Sequence, residues 1–180
     1  GRGMDRRTVI LRSGATLLGA SGLLAAGTAE AADSPLFAMG PSGGRGGDTF
    51  SDAPAPKGFR IAQIAIAGGD IIDSIQMSLV GSKVISFPKH GGTGGVPKTV
   101  TFADGEFIKS IDGRTDTFLG QDTVAGLNIV TNKRKLKFGT LTAGAVFRYV
   151  APTGYEIITF NGRAGDFVDA IGVNIRKIGT

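Results

Sequence analysis

The stretch Gly162-Arg163-Ala164-Gly165-Asp166-Phe167-Val168-Asp169-Ala170-Ile171-Gly172-Val173 carries the pattern that decides the fold. A turn rich in glycine and acid runs directly into a segment where bulky apolar residues alternate with small or polar ones as far as Ile175. Alternation with a period of two is typical of a β-strand that buries one face. The stretch therefore predicts a tight turn that leads into a strand of an antiparallel sheet.

The same turn and strand occur a second time, nearer the N-terminus. Gly69-Asp70-Ile71-Ile72-Asp73 repeats the spacing of Gly165-Asp166-Phe167-Val168-Asp169, and an alternating segment again follows. Two glycine clusters accompany the two turns, Gly43-Gly44-Arg45-Gly46-Gly47 and Gly91-Gly92-Thr93-Gly94-Gly95. Because two unusual pieces each occur twice, the sequence indicates a duplicated supersecondary unit.

Short alternating runs fill the rest of the chain from Phe59 onward. Lys135-Leu136-Lys137-Phe138 is one such run, and turn dipeptides such as Asp112-Gly113 and Asn161-Gly162 separate the runs. No segment after residue 32 predicts a helix. Many short strands with frequent turns predict an all-β fold, which on this pattern alone is a sandwich, a barrel or a prism.

Composition excludes several kinds of functional site. The 180 residues include 30 glycines and no cysteine, so disulfides, cysteine-ligated metals and thiol nucleophiles are excluded. A single histidine, His90, excludes sites built from several histidines, and its place before a glycine cluster predicts a solvated turn residue. Hydrophobic residues make up 41% of the chain, which is enough to form a core.

Residues 1–31 have the features of a secretory signal. Gly1-Arg2-Gly3 is interpreted as a cloning remnant before Met4, and Arg6-Arg7 precedes a weakly apolar stretch that ends in Ala29-Glu30-Ala31. Adjacent arginines and low hydrophobicity indicate the bacterial twin-arginine type. We therefore expect export to the periplasm or the medium, with cleavage near Ala31.

The mature chain is then expected to have a leader at residues 32–39 and one domain at 40–180. The signal holds +2 of the net charge of +5, so the mature chain carries +3 and offers little support for nucleic-acid binding. No membrane span is expected in the mature chain.

The repeated turns offer donors and acceptors side by side. Glycine lets backbone N–H groups approach a ligand closely, and the second aspartate of each turn supplies two acceptor oxygens. Neighbouring sugar hydroxyls, which donate and accept, suit such a set. A glycosidase and a calcium site remain alternatives, although one tight turn places its carboxylates on one side of a sugar and no EF-hand-like ligand run is present.

At these residues the chain resembles the jacalin-related lectins, which include mannose-binding members. The likeness covers nearly all of residues 40–178. It rests on the opening glycine loop, the closing turn and strand, a hairpin, and a second turn with its own glycine loop: Gly40-Pro41-Ser42-Gly43-Gly44-Arg45-Gly46-Gly47 with Phe50, residues 162–173, Thr131-Asn132-Lys133 with Phe138-Gly139, and residues 69–73 with 90–97 and 104–107.

The resemblance implies a β-prism of three four-stranded antiparallel Greek-key sheets with pseudo-threefold symmetry. It implies binding of mannose- or glucose-type glycans without cofactor, metal or catalysis, and a homodimer. Carried over by position, a first sugar-binding site uses the backbone of Gly47, Asp166 and Phe167 with the carboxylate of Asp169. A second sugar-binding site uses the backbone of Gly95, Asp70 and Ile71 with the carboxylate of Asp73.

Two sites are expected, not three, because Gly113-Arg114-Thr115-Asp116 is one residue short of the repeated turn. Galactose-binding relatives expose a glycine at a new chain terminus, whereas Gly47 lies within a continuous chain, which favours mannose or glucose. One alternative is a structural or protein-interaction prism with decayed sugar sites in an exported assembly, and an exported glycosidase is the other.

Overall fold

The computed structural model describes residues 29–180, so most of the expected signal lies outside the described residues. Within them the chain forms thirteen strands and no helix, hence no helix that could cross a membrane. In chain order the strands are β1 (Phe37–Gly43), β2 (Asp48–Ser51), β3 (Arg60–Gly68), β4 (Ile72–Val80), β5 (Val84–Ser86), β6 (His90–Gly91), β7 (Val96–Thr101), β8 (Ile108–Phe118), β9 (Gln121–Thr131), β10 (Lys135–Gly139), β11 (Ala145–Val150), β12 (Tyr155–Ala164) and β13 (Val168–Lys177).

The strands form three antiparallel sheets. Sheet I has the order β7-β3-β4-β5. The short β6 also pairs with β4, along the same edge of that strand as β5. Sheet II has the order β11-β8-β9-β10. Sheet III has the order β2-β12-β13-β1 and is joined to sheet II by the single residue pair Ile157–Ile108.

Each sheet has the connectivity of a Greek key. In sheets I and II the last strand along the chain returns to lie beside the first, which is the spatial order 4-1-2-3. Sheet III has the same order when its strands are counted from β12, and β1 and β2 complete it. The expected β-prism of three four-stranded Greek-key sheets is therefore confirmed.

The core lies between the three sheets and follows the alternation in the sequence. Each strand turns its bulky apolar residues inward, and fully buried examples from the three sheets are Ile64, Met77, Ile111, Ile129, Phe160 and Val173. The residues between them, such as Lys135 and Lys137, are exposed. Each buried side chain of this size contributes about 1.5–3 kcal/mol through removal of apolar surface from water.

Strand structure and buried contacts begin before Gly40, within residues 32–39 that the sequence interprets as a leader. Strand β1 starts at Phe37, where it pairs with Ile175 of β13. Ser34 is buried, its N–H donates to the carbonyl of Ala55 at 2.9 Å, and its Oγ donates to the carbonyl of Thr180 at 2.8 Å. Sheet III uses β1 as its edge strand, a pairing that no local pattern reveals.

His90 is not a solvated turn residue, contrary to the sequence expectation. Its Nε2 lies 2.7 Å from Oδ1 of the buried Asp52, and its ring stacks on Phe50 with centroids 3.8 Å apart. Phe50 belongs to β2 and His90 to β6. This contact therefore fastens sheet III to sheet I close to both glycine loops.

Candidate functional site

Each sheet contributes an inner turn and an outer loop to the candidate site. The inner turns, which join the two central strands of each sheet, are residues 69–71, 119–120 and 165–167, and the outer loops, which join the edge strands, are residues 92–95, 140–144 and 44–47. In each sheet the first residue of the outer loop donates its N–H to the strand that follows the inner turn. These bonds are Gly44 to Asp169 (2.8 Å), Gly92 to Asp73 (2.9 Å) and Thr140 to Ala125 (2.9 Å). Asp169, Asp73 and Ala125 thus occupy equivalent positions in the three sheets.

In the first site the carboxylate of Asp169 faces two glycines of the outer loop. A methyl group added to Gly46 would lie 2.5 Å from its Oδ1, and one added to Gly47 would lie 2.8 Å from its Oδ2. Gly47 has a φ of +66°, a conformation that glycine adopts without strain. Both positions therefore require glycine for the loop to reach the acid.

The structure brings the four predicted residues of the first site together. A shallow cavity of about 260 Å³ is lined by Gly47, Gln121, Gly165, Asp166, Phe167 and Asp169. Asp166 is exposed and Phe167 is half-buried, and the ring of Phe167 meets that of Phe118 edge-on at 5.7 Å. The backbone and the acid thus line one small polar depression.

The second site repeats this geometry in sheet I. A methyl group added to Gly94 or Gly95 would lie 2.5 Å from one of the two carboxylate oxygens of Asp73, and Gly95 has a φ of +71°. The turn closes in the same way in both sites, since the N–H of Gly69 donates to Ile71 at 3.0 Å as that of Gly165 donates to Phe167. Asp70 is exposed, and Ile71 is buried.

The two acids are buried enough to hold their protons more tightly than an exposed aspartate. Burial raises the pKa of Asp73, and the nearby charge of Asp70 raises it further. Burial also raises the pKa of Asp169, where Arg163 opposes the rise and Asp166 adds to it. The carboxylate of Asp169 lines the depression of the first site, and the carboxylate of Asp73 faces Gly94 and Gly95 of its own outer loop.

The third loop pair, in sheet II, lacks an acid at the equivalent position. Ala125 stands there, and it is buried. The segment Gly113-Arg114-Thr115-Asp116, which is similar to the repeated turn but one residue short, lies inside β8. The turn of sheet II comes later, at residues 119–120, so this segment is not a third copy of the repeated turn.

Two residues near the first site were not found from the sequence. Gln121 lines the cavity, but it belongs to sheet II and lies more than forty residues before the inner turn at 165–167 along the chain. Arg163 donates from Nε to the carbonyl of Gly46 at 3.1 Å and from Nη2 to that of Gly47 at 2.7 Å. Arg163 is within the stretch that decides the fold, yet nothing local indicates its partners.

The arrangement can hold hydroxyl groups by hydrogen bonds. An acid with two acceptor oxygens beside closely packed backbone matches two adjacent hydroxyls, each of which donates to the acid and accepts from an N–H. In the described part of the chain, no group of three or more His, Cys, Asp or Glu is placed to hold a metal ion.

Comparison with known proteins identifies similar chains. The family model described as "Jacalin-like lectin domain" matches residues 39–174. Horcolin of Hordeum vulgare is 34% identical over 140 residues, which are 76% of this chain and 94% of horcolin. Horcolin comes from a plant, which does not test the expectation that this protein is bacterial.

Solved structures agree with the sequence comparison. Malaysian banana lectin is similar with a TM-score of 0.71 and 32% identity, over 79% of this chain and 99% of that one. AcmJRL, a mannose-binding jacalin-related lectin from Ananas comosus, is similar with a TM-score of 0.72 and 28% identity, over 79% of this chain and 98% of that one.

Proposed function

The chain belongs to the family of Jacalin-like lectin domains, and on this premise we propose that it binds mannose- or glucose-type sugars reversibly, without chemical change, at two sites per chain. The first site consists of Gly47, Asp166, Phe167 and Asp169. The second site consists of Gly95, Asp70, Ile71 and Asp73. The proposed partners of the protein are glycans that carry mannose- or glucose-type sugars.

One observation carries this proposal, namely the same acid-against-glycine geometry in two sheets. In both, the carboxylate oxygens lie where a methyl group on either of two loop glycines would be 2.5–2.8 Å away. A sugar that donates two hydroxyls to the carboxylate gains about 1.5–3 kcal/mol from each charge-assisted bond. The mannose-binding description of the pineapple relative supports the choice of sugar.

Two sites on one chain suit branched glycans. Once one branch is bound, the second site meets the other branch at a high effective concentration, so weak single sites give strong overall binding. Formation of a homodimer would raise this effect further. Export from a bacterial cell, with removal of the signal near Ala31, is part of the proposal and rests on the N-terminal sequence alone.

Titration of methyl α-mannoside into the mature domain tests the proposal. We expect saturable binding with two sites per chain, one site after Asp73→Ala or Asp169→Ala, and none after both changes. Asp104→Ala is the matched control, because the side chain of Asp104 is 96% exposed on a distant turn.

Other outcomes identify the alternatives. Absence of any response to methyl α-mannoside and methyl α-glucoside would favour the structural module with decayed sites. Release of free sugar from a nitrophenyl glycoside, lost with the same aspartates, would favour a glycosidase.

A further inference from the structure

The three sheets can be compared position by position at the residue beside each inner turn. The strand before the turn pairs there with the residue that follows the acid position. That residue in turn pairs with the glycine just before the outer loop, which is Gly43, Gly139 or Gly91. The pairs are Arg163 with Ala170 in sheet III, Arg114 with Gly126 in sheet II, and Ala67 with Ser74 in sheet I. Arg163, Arg114 and Ala67 are therefore equivalent.

Both arginines make the same kind of contact. Arg163 donates to the carbonyls of Gly46 and Gly47 in the outer loop of sheet III. Arg114 donates from Nη1 to the carbonyl of Gly144, at 3.0 Å, at the end of the outer loop of sheet II. In these two sheets a guanidinium thus fastens the glycine end of the outer loop to its own sheet.

Sheet I has no such contact, because Ala67 has no donor on its side chain. A cavity of about 190 Å³ lies in that place instead, lined by residues that include Ala67, Ser74, Lys89, Gly92, Thr93 and Gly94. Ala67 itself is buried beneath the loop. The glycine loop of the second site therefore passes over a space where the equivalent loop of the first site is held by an arginine.

We propose that Arg163 is a positioning residue that preorganises the glycine loop of the first site, and that the second site, with Ala67 instead, binds the same sugar more weakly. The inference rests on the proposed function, since it concerns the relative strength of the two sites. Glycine-rich backbone has the most conformational freedom to lose on binding, and fixing it beforehand removes that cost from the affinity.

The charge of Arg163 acts in the same direction. It favours the ionised form of Asp169, whereas Asp73 has the exposed carboxylate of Asp70 as its charged neighbour. The cation thus holds the loop and opposes the rise that burial causes in the pKa of Asp169, so loss of the cation is expected to move the acid limit of sugar binding at the first site to higher pH.

Single-site proteins allow each step to be measured with methyl α-mannoside. In an Asp73→Ala background, Arg163→Ala is expected to weaken the first site about tenfold through the lost preorganisation. Arg163→Lys restores charge but not the two-carbonyl contact and is expected to restore the pH profile better than the affinity. In an Asp169→Ala background, Ala67→Arg is expected to strengthen the second site.

Arg114→Ala is the matched control. It removes the same residue type and a similar contact, to one carbonyl instead of two, from a loop that faces Ala125 and has no acid. Methyl α-mannoside affinity is expected to stay unchanged in this variant.

Backbone NMR order parameters in the sugar-free protein provide a readout that does not depend on binding. Gly46 and Gly47 are expected to be more rigid than Gly94 and Gly95, and Arg163→Ala is expected to remove the difference. Should Ala67→Arg fail to fold, the Arg163 variants and the order parameters still decide the matter.

The inference and the proposed function fail in different ways. Wild-type protein that ignores the sugar contradicts the function, while the order parameters still test the loop. Wild-type protein that binds at two aspartate-dependent sites, with Arg163→Ala affinity unchanged or both loops equally rigid, overturns the inference alone.

Discussion

Replacement of Asp73 or Asp169 by asparagine is expected to weaken sugar binding and to stabilise the fold. The two effects have one cause, which is a charged acceptor held in a partly buried place. For Asp73 the cause is burial together with the charge of Asp70, and for Asp169 it is burial with the charge of Asp166, opposed by Arg163.

The loss of binding follows from the hydrogen bonds. A carboxylate that accepts from two hydroxyls contributes about 3–6 kcal/mol, and an amide that keeps one neutral bond retains about 1 kcal/mol of this. The net loss of about 2–5 kcal/mol corresponds to a roughly 30- to 5,000-fold weaker site.

The sign of the stability effect follows from the raised pKa of each aspartate. An acid whose pKa in the folded state lies above its ordinary value of 3.8 stabilises the fold below that value, and this contribution is lost as the pH rises through the folded-state pKa. At pH 7 the ionised group is therefore unfavourable, and asparagine removes the penalty.

Calorimetry measures both quantities on the same samples. Titration with methyl α-mannoside gives the affinity, and thermal unfolding at pH 7 and pH 3 gives the stability, where each kcal/mol changes the Tm by about 2–4 °C for a domain of this size. Asp104→Asn, on an exposed turn, is the control and should change neither. A Tm that falls at pH 7, or a gain that persists unchanged at pH 3, would refute this reasoning.

Three further changes test single contacts. Gly95→Ala should abolish the second site alone, because the φ of +71° and the facing carboxylate at 2.5 Å leave no room for a methyl group, and NMR titration would show one set of sugar-induced shifts instead of two. Glu106→Gln should lower the free energy of unfolding by about 2 kcal/mol at neutral pH and by less in acid. Burial raises the pKa of Glu106, but hydrogen bonds from Arg134 and its neighbours outweigh this and hold the pKa below its ordinary value. Urea unfolding at several pH values measures the loss. His90→Ala should lower the free energy of unfolding by about 3 kcal/mol, because it removes the imidazole that lies 2.7 Å from the buried carboxylate of Asp52. An unchanged denaturation midpoint would contradict this.

The sequence predicted those parts of the fold that depend on short-range pattern. Alternation from Ala170 to Ile175 and the turns at Gly69 and Gly165 indicate strands and hairpins because side chains on a strand repeat every two residues. The pattern alone left sandwich, barrel and prism open, and the family resemblance selected the prism. Strand β1 was partly missed because its pairing with β13 joins residues about 130 positions apart.

The residues of the candidate site were likewise predicted only where a short local pattern marks them. Asp73 and Asp169 were identified because each lies within its own turn, and the glycine clusters repeat visibly. Gln121 was missed because it reaches the first site from another sheet, and the partner of His90 was missed because Asp52 lies 38 residues away. Contacts that depend on how sheets meet leave no periodic signal in the chain.

The distribution of acid and arginine over the three sheets separates binding from folding. Sheet III has both, with Asp169 and Arg163, whereas sheet I has the acid with Ala67 and sheet II has Arg114 with Ala125. Sheet II keeps its arginine without an acid to serve, so the contact with the outer loop is a feature of the hairpin in its own right. Sheet I forms the same turn and loop without the arginine, so the fold does not require it. An effect of Arg163 on sugar affinity would therefore report on the state of the loop, and not on the survival of the prism.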